Sequence, residues 1–116
     1  MLRVRAVLFS LPIKLEFHEV TGHLDRMPGW SHAPLPARPC IKKCFMFADF
    51  HEAWGFMESC VPYIHQHDHH PEWFNVYNRV EVTLTTHDCA GVSEKDLSLA
   101  RHMDSLAAKF DRDVKA

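Results

Sequence analysis

The sequence predicts an α+β fold, a two-layer sandwich in which an antiparallel sheet of about four strands carries helices on one face. Three observations carry that expectation. Residues 79–87 alternate cleanly, with Val80, Val82, Leu84 and Thr86 on one side and Glu81, Thr83, Thr85 and His87 on the other. That is the pattern of a half-buried strand, and threonine adds β propensity. From Phe50 onward apolar side chains recur at helical spacing, and Ser93-x-x-Asp96 opens a second such run as a capping box.

The elements follow in chain order. Arg3 and Arg5 precede an apolar run from Ala6 to Leu11 that Pro12 and Lys14 close. The run is short for a signal peptide and lacks a small-x-small cleavage site, so secretion is not expected. A peripheral strand, a flexible tail and an upstream extension all stay open for residues 1–15. Residues 28–39, PGWSHAPLPARP, are rich in proline and read as an irregular connection. In the run Cys40–Ala48, Ile41, Lys43, Phe45 and Phe47 share one strand face, with Lys42, Cys44, Met46 and Ala48 on the other. Neither face is purely polar, so the strand is expected to be covered on one side and edge-paired or partly covered on the other.

Asp49 is placed to cap a helix whose stripe is Phe50, Ala53, Trp54, Met57, Val61 and Ile64, widened by Phe56 and Cys60. Pro62 inside it is expected to remove one backbone bond and bend the axis. His65-Gln66-His67-Asp68-His69-His70-Pro71 closes the helix, since the proline drives His70 out of helical geometry. Cys89-Ala90-Gly91 is a turn. The last helix carries Leu97, Ala100, Met103 or Asp104, Ala107 and Phe110 toward the core, with Leu99 and Leu106 at the margin.

Composition narrows the function classes. The 116 residues are 47% hydrophobic and 24% charged, which suits one folded domain over residues 1–116. A formal charge of −2 provides no general positive field for phosphates, so direct nucleic-acid binding is not expected. No run approaches the roughly 20 apolar residues that span a membrane. Cys40, Cys44, Cys60 and Cys89 form no CxxC pair, which favours free thiols in a reducing, cytoplasmic setting.

Ten histidines are the unusual feature. His65, His67, His69, His70 and His87 are where acid–base chemistry would sit, because imidazole titrates near neutrality without a large environmental shift. Plainer readings stand beside this one. Histidines at a helix end can simply face solvent or the helix dipole. His65 and His69, four apart, with Asp68 could ligate a metal, although the spacing matches no zinc motif. Asp96 already has a capping role, and Trp73 reads equally as a stacking wall for a flat ring or as core.

The stretch DHHPEWFNVYNRVEVTLTTHDCAGVSEKDLSLA resembles the pterin-4a-carbinolamine dehydratases. It carries their His-His-Pro, the Asn-x-Tyr-Asn segment, the Thr-His pair and the Gly-x-Ser-x-x-Asp helix start. The likeness extends back through FMFADFHEAWGFM and, more loosely, to Gly29-Trp30. It implies that His69, His70 and His87 are catalytic. Trp73, Thr85, Thr86 and Asp96 would lie against the pterin, with His65 and Asp68 beside them. The implied reaction is dehydration of 4a-hydroxytetrahydrobiopterin to quinonoid dihydrobiopterin, with no metal and no organic cofactor. His69 or His87 would serve the hydroxyl and His70 the proton at N5.

The resemblance also implies homodimers that pair through helices into homotetramers. In animal members it implies a further partner, the dimerisation region of a homeodomain transcription factor, and with it a nuclear as well as a cytoplasmic location. Met57, Cys60, Val61 and Ile64 are candidates for that helical surface. The alternative to an enzyme is a catalytically weakened binding protein. Three departures bear on this: His65 stands where relatives carry Glu, Pro62 interrupts a packing helix, and the connection after Trp30 is about two residues longer. A second imidazole near the site disfavours double protonation.

Overall fold

Alternating side chains on two long strands set the sheet. The computed structural model describes residues 11–33 and 38–110. In order these form α1 (Phe17–Leu24), β1 (Ser31–Ala33), β2 (Cys40–Met46), α2 (Phe50–His67), β3 (Glu72–Val76), β4 (Arg79–Leu84), a 3-10 turn (His87–Cys89) and α3 (Glu94–Ala107). The strands are antiparallel in the order β1-β2-β4-β3. Helices cover one face, so the α+β layer expected from the sequence is what forms. Most of residues 1–15 lie outside the described residues.

The register explains the core. Ile41 faces Leu84, Lys43 faces Val82 and Phe45 faces Val80 across β2 and β4. Cross-strand partners share a face, and apart from the half-buried Lys43 these side chains are buried beneath the helices. Lys42, Cys44 and Met46 point to the uncovered face and are exposed. β2 is an interior strand, not an edge. Its outer neighbour is β1, which forms inside the proline-rich stretch expected to be irregular.

The β3–β4 hairpin turns through Tyr77 and Asn78, with Tyr77 in the left-handed region at φ 50°. Its two asparagines satisfy the backbone around it. The Asn75 amide donates to the carbonyls of Tyr77 and Arg79, and the Asn78 amide donates to the carbonyl of Phe47, just past the end of β2.

Asp49 caps α2 by accepting from the Glu52 backbone N–H at 2.9 Å. The buried face of α2 is Ala53, Phe56, Cys60 and Ile64, narrower than the expected stripe. Trp54 and Val61 stay half exposed at 50% and 52%, and Phe50 at 48%. Trp54 and Val61 each follow a buried residue and are therefore rotated about 100° away from the sheet. Of the residues considered for a helical docking surface, Cys60 and Ile64 belong to the core and Met57 is half-buried, which leaves Val61 exposed. Burial pushes the Cys60 thiol up to about 12, so it packs as a small apolar group.

α2 runs on through Pro62, which sits on the exposed side where the released Glu58 carbonyl can be hydrated. Phe56 packs against Phe45 and Phe47 with ring centroids 4.8 and 5.1 Å apart. Gly55 leaves room for the Phe110 ring, 3.3 Å from where a Cβ would sit. On α3, Leu97, Leu99, Ala100 and Met103 are buried, so Leu99 is central and not marginal. Asp104 ties α3 to the strands: it accepts from the Trp30 indole at 3.0 Å and from the Lys43 ammonium at 2.7 Å.

Candidate active site

Two adjacent histidines face different surroundings because of how α2 ends. Asp68 takes the left-handed C-cap conformation, φ 48° and ψ 45°, which a short polar side chain tolerates. The His69 N–H then bonds back to the Ile64 carbonyl at 3.3 Å. This turn sends His69 inward, where it is 8% exposed. His70 is left outside, its Nε2 3.6 Å from Asp68 Oδ1.

His69 is held from behind by Asp96. Its Nε2 lies 2.7 Å from Asp96 Oδ1. The other carboxylate oxygen accepts from Thr86 Oγ1 at 2.7 Å and from the Ser93 N–H at 2.9 Å. Thr86 Oγ1 in turn lies 2.7 Å from Ser93 Oγ. Asp96 is completely buried, and both of its oxygens act as acceptors. With the carboxylate accepting, His69 carries a proton on Nε2, and Nδ1 is the ring nitrogen left for proton exchange. The capping box of α3 therefore also holds an imidazole, so the capping role read from the sequence is what Asp96 performs, with His69 as an added partner.

His87 arrives from a 3-10 turn, whereas the alternation of the sequence extends the strand to include it. β4 stops at Leu84 because its partner strand β2 begins at Cys40, directly after Pro39, which has no N–H to extend the ladder. The Thr86 N–H bonds instead to the Gly91 carbonyl at 2.8 Å. Thr85 is also buried, and its hydroxyl donates to the Pro39 carbonyl at 2.7 Å.

These elements surround a cleft of about 350 Å³. His69, His70, His87, Asp68, Thr85 and Thr86, all singled out from sequence, line it. Asp96 lies behind His69 and contributes no lining. His65 and Trp73 are absent from the walls. His65 is exposed on the last turn of α2, and Trp73 is half-buried against the core opposite Val82. Among the described residues, no three His, Cys, Asp or Glu side chains are grouped to hold a metal ion.

Sequence reasoning missed Pro71, Glu72, Asp88 and Lys95, which also line the cleft. Each adjoins a residue that was singled out, so neighbourhood was the available signal. Arg38 holds Glu72 by two bonds of 2.7 and 2.6 Å. Those bonds, with the charge of the guanidinium, keep the Glu72 carboxyl below its ordinary range.

The family model described as pterin 4 alpha carbinolamine dehydratase matches residues 13–106. The chain belongs to that family. A Burkholderia multivorans protein that bears the name of this dehydratase is 48% identical over 95 residues, covering 82% of this chain and 91% of its own. A Rhodopseudomonas palustris dehydratase-family protein is 51% identical over 87 residues, covering 75% of this chain and 84% of its own. The crystal structure of a transcriptional coactivator/pterin dehydratase from Brucella melitensis superposes with a TM-score of 0.77 at 43% identity. It covers 82% of this chain and 99% of that one. A pterin dehydratase-like protein, described as a RuBisCO assembly factor in the alpha-carboxysome, shares the dehydratase fold at a TM-score of 0.57 and 20% identity. That match covers 68% of this chain and 92% of the other. Within this dehydratase family fold, no helix among the described residues is long and apolar enough to cross a membrane.

Proposed function

We propose that the protein is a 4a-hydroxytetrahydrobiopterin dehydratase, a hydro-lyase that converts the pterin-4a-carbinolamine to quinonoid dihydrobiopterin and water in tetrahydrobiopterin recycling. The observation that carries this reading is the meeting of three imidazoles on one cleft, one of them backed by a buried carboxylate. The reaction needs a proton on the departing hydroxyl and the loss of the proton at N5. The C4a–O bond breaks and a C4a=N5 double bond forms, with no change of oxidation state.

Imidazoles suit both transfers at neutral pH. In this reading His70 takes the N5 proton, while His69 and His87 serve the hydroxyl side. Asp96 fixes the tautomer and direction of His69 in the way a buried carboxylate orients a metal-free catalytic histidine. The hydroxyls of Thr85 and Thr86 are engaged inside the protein, so both residues shape the wall. The site belongs to the cytoplasm, where the recycled cofactor is used.

The test is to generate the carbinolamine and follow quinonoid product with and without the protein near neutral pH. Accelerated formation is expected. A rate equal to the spontaneous one contradicts the proposal. A second reading rests on Phe50, Trp54 and Val61, which leave apolar surface exposed along α2. In it, α2 pairs with further copies in a homotetramer or with the dimerisation region of a homeodomain transcription factor, as a coactivator in the nucleus. Light scattering for the assembly and a pull-down with that region separate the two partners.

A further inference from the structure

Lys95 lines the imidazole cleft from the first turn of α3. Its position is electrostatically awkward, because the N-terminal end of a helix carries the positive end of the backbone dipole. Its ammonium makes no hydrogen bond or ion pair with any described residue, although its own backbone N–H is capped by Ser93. The other charges on the cleft are differently placed. Glu72 is held by Arg38, and Asp68 lies beside His70. Lys95 is thus the permanent cation that the described residues leave uncommitted on a wall whose other charged side chains are the carboxylates Asp68, Glu72 and Asp88, set among three imidazoles, Pro71 and two threonines. It also adjoins Asp96, so its stem leaves the same helical turn that aims His69.

We infer that Lys95 holds the 4-oxo group of the pterin ring. This rests on the dehydratase reading above and adds to it a substrate-binding residue and a source of selectivity. In the carbinolamine the carbon that loses hydroxide, C4a, is bonded directly to C4, whose oxo group is an acceptor. A donor placed beside imidazoles that act on C4a and N5 meets this oxygen next to the reacting centre. The ammonium donates to it and thereby fixes which way the flat ring lies. A pteridine with an amino group at position 4 offers a donor in the same place and is repelled.

The experiment compares binding of 6-methyl-7,8-dihydropterin with that of its 2,4-diamino analogue by fluorescence titration. Wild type, Lys95→Gln and Lys95→Arg are used as full chains, with carbinolamine turnover measured in parallel. Wild type should prefer the 4-oxo compound by about tenfold or more, the scale of one charge-assisted hydrogen bond. Lys95→Gln should lose that preference and raise KM by a similar factor while kcat changes little. Lys95→Arg should retain both. Thermal unfolding of Lys95→Gln should not fall, since a cation leaves the positive end of a helix.

Three results overturn the inference. One is wild-type preference in Lys95→Gln. Another is equal weakening of both compounds in that variant. In either case an active wild type leaves the dehydratase reading standing. If wild type neither binds dihydropterin nor turns over the carbinolamine, that reading fails and the Lys95 assignment falls with it.

Discussion

Replacing Asp96 by alanine should destabilise the fold by about 3–5 kcal/mol, a large share of the roughly 5–15 kcal/mol that holds a domain together. The side chain is completely buried and accepts from three donors, His69 Nε2, Thr86 Oγ1 and the Ser93 N–H. Alanine leaves all three facing a space with no acceptor, and each orphaned donor costs about 1–3 kcal/mol unless water enters. Loss of the capping interaction is part of the same total, typically about 1 kcal/mol. Asp96→Asn keeps the volume but places a donor where one of the three already points, so it should be milder for stability while still misdirecting His69. Urea unfolding measures the first effect. A shift below about 0.5 kcal/mol, the range of surface substitutions, would contradict the role assigned to this buried network.

The second large effect concerns turnover. Alanine at His69 or His70 should lower carbinolamine dehydration roughly 100- to 10,000-fold each, the range of one general acid or base. His87→Ala should lie in the same range. His65→Ala should change the rate no more than a few-fold, because His65 stands on the exposed last turn of α2 and outside the cleft. The losses are expected in kcat more than in KM, since proton transfer acts in the transition state. Initial rates on folded variants decide this. Unchanged turnover in His70→Ala across the neutral range would remove its assignment, and a large loss in His65→Ala would move the site.

Much of this arrangement is legible in the residues themselves. Strict alternation in 79–84 and the Ser93–Asp96 box each depend on local periodicity or local hydrogen bonding, and both form where the sequence implies. Long-range choices are less legible. The end of β4 at Leu84 is decided by Pro39, some forty-five residues earlier, so alternation alone carries the strand too far and puts His87 in it. β1 hides between prolines because a three-residue edge strand has too few side chains to show a period. α1 buries one residue, Val20, and its capping box uses Glu16 in place of the usual Ser or Thr. The α2 stripe is ambiguous by one position, since eight apolar residues exceed what a single sheet contact covers.

The same distinction governs the site. His69, His70 and His87 stand out because imidazole is scarce in most chains and clustered here. Nothing in the local sequence says that Asp96 turns its carboxylate toward His69, twenty-seven residues away. Trp73, read equally as a stacking wall or as core, is resolved only by a long-range contact. An aromatic next to a catalytic motif suggests a stacking wall, yet strand pairing with Val82 turns it toward the core.

The central claim, that one flat ring sits among His69, His70 and His87, is tested most directly by NMR of the imidazole signals during titration with a dihydropterin. The signals of these three residues should move together and saturate at one ligand per chain, while His51 at the opposite end of α2 stays still. Saturating binding that leaves all three unmoved, or that shifts His51 instead, would contradict the account.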